Sequence, residues 1–272
     1  MKNLKMYCLT LNPEHLKLIK AINYIPVGLG NSFFNSEWVT DKFLNGIDKK
    51  NPFYGEYTFH YYLWKNANLE NQGWIGFCQY RKFWILKKLE EINFDFQTFN
   101  SKIIHFIPQE LEKYDVILGE EMFINKFRFK KFIKRNFKKM ILNPSLFFYK
   151  KKRNLKFHFD MWHGDGNLEK AISLLENSEK KDFSDFVNQE TSFNPHNMFI
   201  CKNKKILFDY YESVFPWLEK CEKIFGFENL KGYGLQRIYG FLAERYMSYW
   251  FKKYYNCFKL PIYFKDIGDY KL

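Results

Sequence analysis

No GxxxxGK[ST] loop, GxGxxG, HExxH or GxSxG occurs anywhere in the chain. The commonest NTPases, dinucleotide enzymes and hydrolases are thereby removed. Cysteine is scarce. Cys8, Cys78, Cys201, Cys221 and Cys257 form no CxxC pair and are odd in number, so they read as neither a disulfide frame nor a zinc site. Cys8, Cys78 and Cys201 sit inside the apolar runs MYCLTL, GFCQY and MFICK and read as buried thiols in a reducing compartment. No run approaches the ~18 apolar residues that a spanning helix needs. The start, MKNLKMYCLTLNPEH, lacks the apolar stretch of a signal peptide. A cytoplasmic protein is expected. There is no internal repeat and no low-complexity linker.

What is present is apolar, aromatic and basic. Of 272 residues, 46% are hydrophobic and 21% aromatic, enough to bury a sizeable core and to exclude a disordered chain. The length suits a single domain over 1–272. The net charge is +13, and residues 126–156 hold thirteen Lys or Arg and no Asp or Glu, so this one segment carries the whole imbalance. A solvated basic face accounts for it. So does contact with anionic lipid, because Phe127, Phe129, Phe132, Phe137, Ile141, Phe147 and Phe148 interleave with the cations. Nucleic acid would need the same cations, but no nucleic-acid-binding motif accompanies them.

Apolar runs at 4–11, 22–30 (INYIPVGLG), 74–80, 114–119 and 197–202 read as strands. Between them lie helical stretches at about 14–23, 51–66 (Asn51 as cap, Pro52 in the first turn) and 167–177. The last third is helical, with Leu235, Ile238, Leu242, Tyr246 and Tyr249 at 3.6-residue spacing. Strands alternating with helices predict a mostly parallel α/β sheet with helices on both faces, and ligands of such sheets bind at the carboxyl ends of the strands. There stand Val27, Gly28, Gly30 and Asn31; Gln79, Tyr80, Arg81 and Lys82; and His196 and Asn197. A tyrosine and cations suit the base and phosphates of a nucleotide-sugar, although strand ends are often polar for structural reasons alone.

The run NPFYGEYTFHYYLWKN (51–66) followed by WIGFCQYRKFW (74–84) resembles the paired signature of a family of capsular- and exopolysaccharide-biosynthesis glycosyltransferases, much of it long catalogued as a domain of unknown function. Asn51, Glu56, Thr58, Trp64, Lys65, Asn66, Gly76, Tyr80 and Arg81 match, as do Asp41, IPVGLG, NMFICKNKKILFDYY and GFLAERYMSYW. The likeness thus runs along nearly the whole chain. It departs at Gln79, where the family has His, at Lys82 for Arg, at Thr10-Leu11-Asn12 and at 44–48.

The resemblance implies a GT-A-type, Rossmann-like fold with a nucleotide-sugar-binding half over 1–120 and an acceptor-side, helical half over 121–272. It implies a UDP-sugar donor (UDP-galactofuranose or another hexose), a polysaccharide or lipid-linked glycan acceptor, and work at the inner face of the cytoplasmic membrane. Donor contacts would come from Val27, Gly28, Asn31, Asp41, Gln79, Tyr80, Arg81 and Lys82, and acceptor contacts from His163, His196, Asn197 and Arg245. Mg²⁺ or Mn²⁺ would sit on an Asp-x-Asp motif, but none stands at a strand end, and Arg81 and Lys82 could replace the metal in part. Candidates for the base are Asp165, Glu190 and Glu244. Glu56, set among aromatics in mid-helix, is expected to be structural. The competing function is a catalytically inactive, membrane-associated scaffold of polysaccharide assembly that keeps the transferase fold.

Overall fold

The computed structural model describes residues 2–66, 69, 73–90, 94–126 and 149–271. Residues 127–148, most of the basic stretch 126–156 on which the lipid-contact expectation rests, lie outside them. The first half contains β1 (Lys2–Thr10), α1 (Leu16–Ala21), β2 (Ile25–Gly28), β3 (Val39–Thr40), α2 (Asn51–Tyr54), α3 (Tyr57–Asn66), β4 (Trp74–Gln79), β5 (Lys82–Trp84), α4 (Phe96–Lys102), β6 (Phe106–Ile107) and β7 (Val116–Gly119). Then come β8 (Met122–Phe123), α5 (Leu155–His163), α6 (Asn167–Ser173), α7 (Asn177–Gln189), β9 (Ser192–Phe193) and β10 (Phe199–Cys201). The chain ends with α8 (Lys204–Phe225), α9 (Tyr233–Gln236), α10 (Ile238–Tyr254), β11 (Cys257–Leu260) and β12 (Ile262–Phe264).

The main sheet runs β11-β7-β10-β4-β1-β2-β3, with β5 and β12 joined beside β4 and β6 beside β1. Its β1–β2, β1–β4, β2–β3 and β7–β11 pairs are parallel. Along this seven-strand path the mostly parallel expectation holds, with one reversal: β10 is antiparallel to both β4 and β7, and the short β5, β6 and β12 join the sheet antiparallel as well. The chain enters β10 through two successive residues with left-handed backbone, His196 (φ 83°) and Asn197 (φ 54°).

Helices cover both faces, so the strands are apolar on both sides rather than alternating. Along β1, Leu4, Met6 and Cys8 join the core that holds Ile19, Trp84 and Phe99, while Tyr7 and Leu9 join the one that holds Phe59, Phe199 and Tyr210. Gly76 of β4 is needed for this packing: a Cβ there would stand 2.9 Å from Met6 Cε and 3.1 Å from Ile200 Cγ1. The C-terminal helices form as their periodicity predicts. Ile238, Leu242 and Tyr246 of α10 are fully buried, and α8 starts where the Asn203 side chain accepts the Ile206 N–H. No helix of the described residues is long and apolar enough to cross a membrane.

The helix expected over 51–66 is broken. Gly55 separates α2 from α3 with φ 59° and ψ −131°, a conformation held freely only by glycine. Asn51 does not cap; its Nδ2 donates to the Gly55 carbonyl (2.9 Å) and to Thr58 Oγ1 (3.1 Å), closing the break.

Candidate functional site

The carboxyl ends of β1 and β4 open into a cavity of about 90 Å³ lined by Thr10 and Leu11, by Asn51, Gly55 and Glu56, by Gln79, Tyr80 and Arg81, and by Arg237. The break at Gly55 brings Glu56 to this wall. A Cβ on Gly55 would lie 2.2 Å from Arg237 Nη2, so the glycine is also what lets the guanidinium approach. Glu56 therefore stands between two helices, not in mid-helix, and its carboxylate gathers the site. Oε1 accepts Gln79 Nε2 (2.9 Å) and Oε2 accepts Arg237 Nη2 (3.3 Å). Gln79 also donates to the His196 carbonyl (2.9 Å) and accepts from Lys82 Nζ (2.7 Å), tying the β4 end to the turn before β10.

That turn lines a second, larger cavity of about 540 Å³. Its lining is aromatic (Trp162, Phe193, Tyr233, Phe241), with His158, His163, His196, Glu244 and Arg245 between the rings. Glu244 Oε1 accepts the His196 backbone N–H (2.5 Å), and Oε2 pairs with the Arg245 guanidinium. Arg245 is almost wholly enclosed and lies 3.7 Å over the Phe193 ring. Left-handed backbone at two non-glycine residues costs of order 1–3 kcal/mol each, and Glu244 supplies the contact that holds it.

Burial pushes the imidazoles of His163 and His196 down to about 3, helped by the Arg245 charge for the first and by Lys82 and Arg81 for the second. His158 is lowered in the same way by burial and Arg245. His163 is neutral and protonated on Nδ1, which donates to the Gly234 carbonyl (2.9 Å). The folded values lie below the ordinary 6.5, so these groups stabilise the fold fully above about pH 6.5 and lose that contribution as pH falls toward 3. Urea midpoints measured across this window are expected to fall from about pH 6.5 downward. A flat profile between pH 6.5 and 4 would contradict the burial of these rings.

Of the donor candidates, Gln79, Tyr80 and Arg81 line the first cavity. Lys82 sits behind Gln79, its ammonium lowered by burial. Four others lie elsewhere. Val27 is fully buried in the core, and Gly28 is covered by the Phe34 ring, 2.4 Å from where a Cβ would stand. Asn31 is exposed and outside the lining. Asp41 is fully buried, accepting the Gly30 N–H (3.3 Å) and the Thr58 hydroxyl (2.6 Å); it pins the loop, and burial raises its carboxyl. Of the acceptor candidates, His163, His196 and Arg245 line the larger cavity, while Asn197 is buried and donates to the Gly240 carbonyl (3.2 Å). Asp165 and Glu190 are exposed and line neither cavity, whereas Glu244 lines the larger one with both oxygens engaged. Arg237 was missed in the sequence; it reaches the site from 181 positions beyond Glu56.

The residues present do not fit a resident divalent cation. Among the described residues no three His, Cys, Asp or Glu side chains gather to hold one. The ends of β1 and β4 carry Thr10-Leu11 and Gln79-Tyr80-Arg81, without a carboxylate. Glu56 and Glu244 are each closed by hydrogen bonds and an arginine.

Among solved structures, the apo structure of WbbM, a bifunctional glycosyltransferase, aligns with 97% of this chain at a TM-score of 0.70 and 19% identity. The chain spans 45% of that protein's length. Core-mannan synthase A (CmsA/Ktr4) from Aspergillus fumigatus, in its Mn/GDP form, aligns with 90% of this chain and 67% of its own at 13% identity, but with a TM-score of only 0.30. No curated protein matches the chain. The likeness to WbbM shows that the sheet and its covering helices share the fold of the matched part of that protein. Residues 5–255, which include nearly every element that builds the two cavities, match the family described as a domain of unknown function, DUF4422, and the chain belongs to that family.

Proposed function

We propose that this chain is a glycosyltransferase that moves a sugar from a nucleoside-diphosphate donor to a glycan hydroxyl. The observation that carries the reading is a pair of cavities tied together by the hydrogen bond from Gln79 to the His196 carbonyl. One is lined by the guanidiniums of Arg81 and Arg237, and the other by aromatic rings and neutral imidazoles. Cations suit the donor diphosphate. Aromatic faces with a few fixed polar groups suit an uncharged sugar ring. The fold shared with WbbM, itself a glycosyltransferase, supports this.

The bond from the donor's anomeric carbon to the diphosphate oxygen breaks, and its electron pair leaves on that oxygen. The acceptor hydroxyl oxygen forms the new bond to the anomeric carbon, and its proton passes to Glu56 Oε2, which Arg237 frees when it turns from its long 3.3 Å bond to the diphosphate. His196 lines the larger cavity and its carbonyl accepts Gln79 of the first, which ties the acceptor side to the donor side. A UDP-sugar is the proposed donor, and a surface polysaccharide or its lipid-linked precursor the acceptor. Contact of the basic 126–156 stretch with anionic lipid belongs to the same proposal and rests on the sequence. Incubation with UDP- and GDP-hexoses, following release of the nucleoside diphosphate in the presence of galactosyl and glucosyl oligosaccharides, tests the reading. Turnover with one such donor supports it. If none turns over and neither UDP nor GDP binds, the scaffold reading takes its place.

A further inference from the structure

We infer that this chain holds and discharges the donor diphosphate without a divalent cation, using the guanidiniums of Arg81 and Arg237 with the Lys82 ammonium behind them. The inference rests on the glycosyltransferase reading and concerns how that same site carries the leaving group's charge. Mg²⁺ and Mn²⁺ bound at phosphate sites ordinarily take one or two protein carboxylates, with phosphate and water oxygens completing the shell. Here the lining of the donor cavity has a single carboxylate, Glu56, and both of its oxygens already accept hydrogen bonds. The rest of the polar lining is neutral or cationic: Thr10, Asn51, Gln79, Tyr80, Arg81 and Arg237.

Charge points the same way. Arg81, Arg237 and Lys82 bring three positive charges toward one Glu56, because Glu244 is matched by Arg245. The surplus of two offsets the roughly two negative charges of a nucleotide-sugar diphosphate. A divalent cation placed there would meet the repulsion of all three cations. When the anomeric C–O bond breaks and its electron pair settles on the β-phosphate oxygen, the diphosphate gains a further negative charge. Arg237 can follow that charge. Its bond to Glu56 is long (3.3 Å), and its side chain is 31% exposed, so it exchanges one carboxylate partner for phosphate oxygens without unfolding anything. Lys82 adds charge from a dry position, where the local field is less screened than in water.

Calorimetric titration of the full chain with UDP and with GDP, once in excess EDTA and once with Mn²⁺, decides the matter. One of the two nucleotides is expected to bind with the same Kd under both conditions. Arg81→Gln and Arg237→Gln, checked for unchanged circular dichroism, are each expected to weaken it by about tenfold to a hundredfold, as loss of a charge-assisted hydrogen bond does. Binding that appears only with Mn²⁺ overturns the inference and leaves the glycosyltransferase reading standing. Folded arginine variants that bind as tightly as wild type also overturn it. If a variant does not fold, the EDTA comparison on wild type decides alone. Absence of binding for both nucleotides under both conditions removes the parent reading and this inference with it.

Discussion

Glu56→Gln is expected to lower kcat by about 10²–10⁴-fold, the range for loss of a general base, while UDP binds as well as before or better. The carboxylate is the only anionic group among the described residues that line the donor cavity, so its removal takes away the proton acceptor and also a charge that competes with phosphate for Arg237. Stability should change little. Glutamine keeps a carbonyl oxygen for Gln79 Nε2, and the lost pair with Arg237 is part-exposed, a class worth about 0–1 kcal/mol. Steady-state kinetics set beside a melting curve separate the possibilities. A variant with normal turnover, or one whose lost activity tracks a lost fold, would return Glu56 to the structural role its aromatic neighbours suggest in the sequence.

Glu244→Ala should act in the opposite way, mainly on stability. It strands the Arg245 guanidinium, which is 2% exposed, and leaves the His196 N–H at a left-handed turn without its acceptor. Breaking a buried ion pair by removing one partner costs about 3–5 kcal/mol. In a chain of this size that lowers the melting temperature by about 10 °C. Removing both charges, as Glu244→Leu with Arg245→Met, should recover most of the loss because no buried charge is then left alone. Unchanged melting of Glu244→Ala would mean that water or the neighbouring imidazoles carry the Arg245 charge, and that Glu244 is free to act as the base the sequence suggested.

The long strands were legible because burial on two faces writes them as unbroken apolar runs: LKMYCLTL became β1 and WIGFCQ became β4, while the run NMFICK holds the short β10. Helices α8 and α10 were legible from their period. The short β5, β11 and β12 were not, since three or four residues carry no period and pair only once the sheet exists. The direction of β10 was hidden for a related reason, since it is set by a backbone reversal at His196 and Asn197, and Asn-Pro-His-Asn marks a turn without fixing which way the next strand runs.

The site divides along similar lines. Gln79, Tyr80 and Arg81 follow directly from a strand end. Asp41 looked like a loop carboxylate open to ligand, but Gly30 and Thr58 close over it, a contact that spacing does not reveal. Glu56 and Arg237 lie 181 positions apart, and their meeting depends on a glycine bending the chain out of a helix that its neighbours would otherwise continue. The large aromatic cavity is likewise assembled from α5, the turn before β10 and the consecutive α9 and α10, three parts far apart in the chain.

The most direct test of the central claim is a crystal structure of the chain with UDP. The expected result is a diphosphate at the carboxyl ends of β1 and β4, within hydrogen-bond distance of Arg81 and Arg237, with the larger aromatic cavity left open beside it. A diphosphate seated instead against Arg245 and Lys231 in the aromatic cavity, or crystals that take up no UDP at saturating concentration, would contradict the assignment of the donor site.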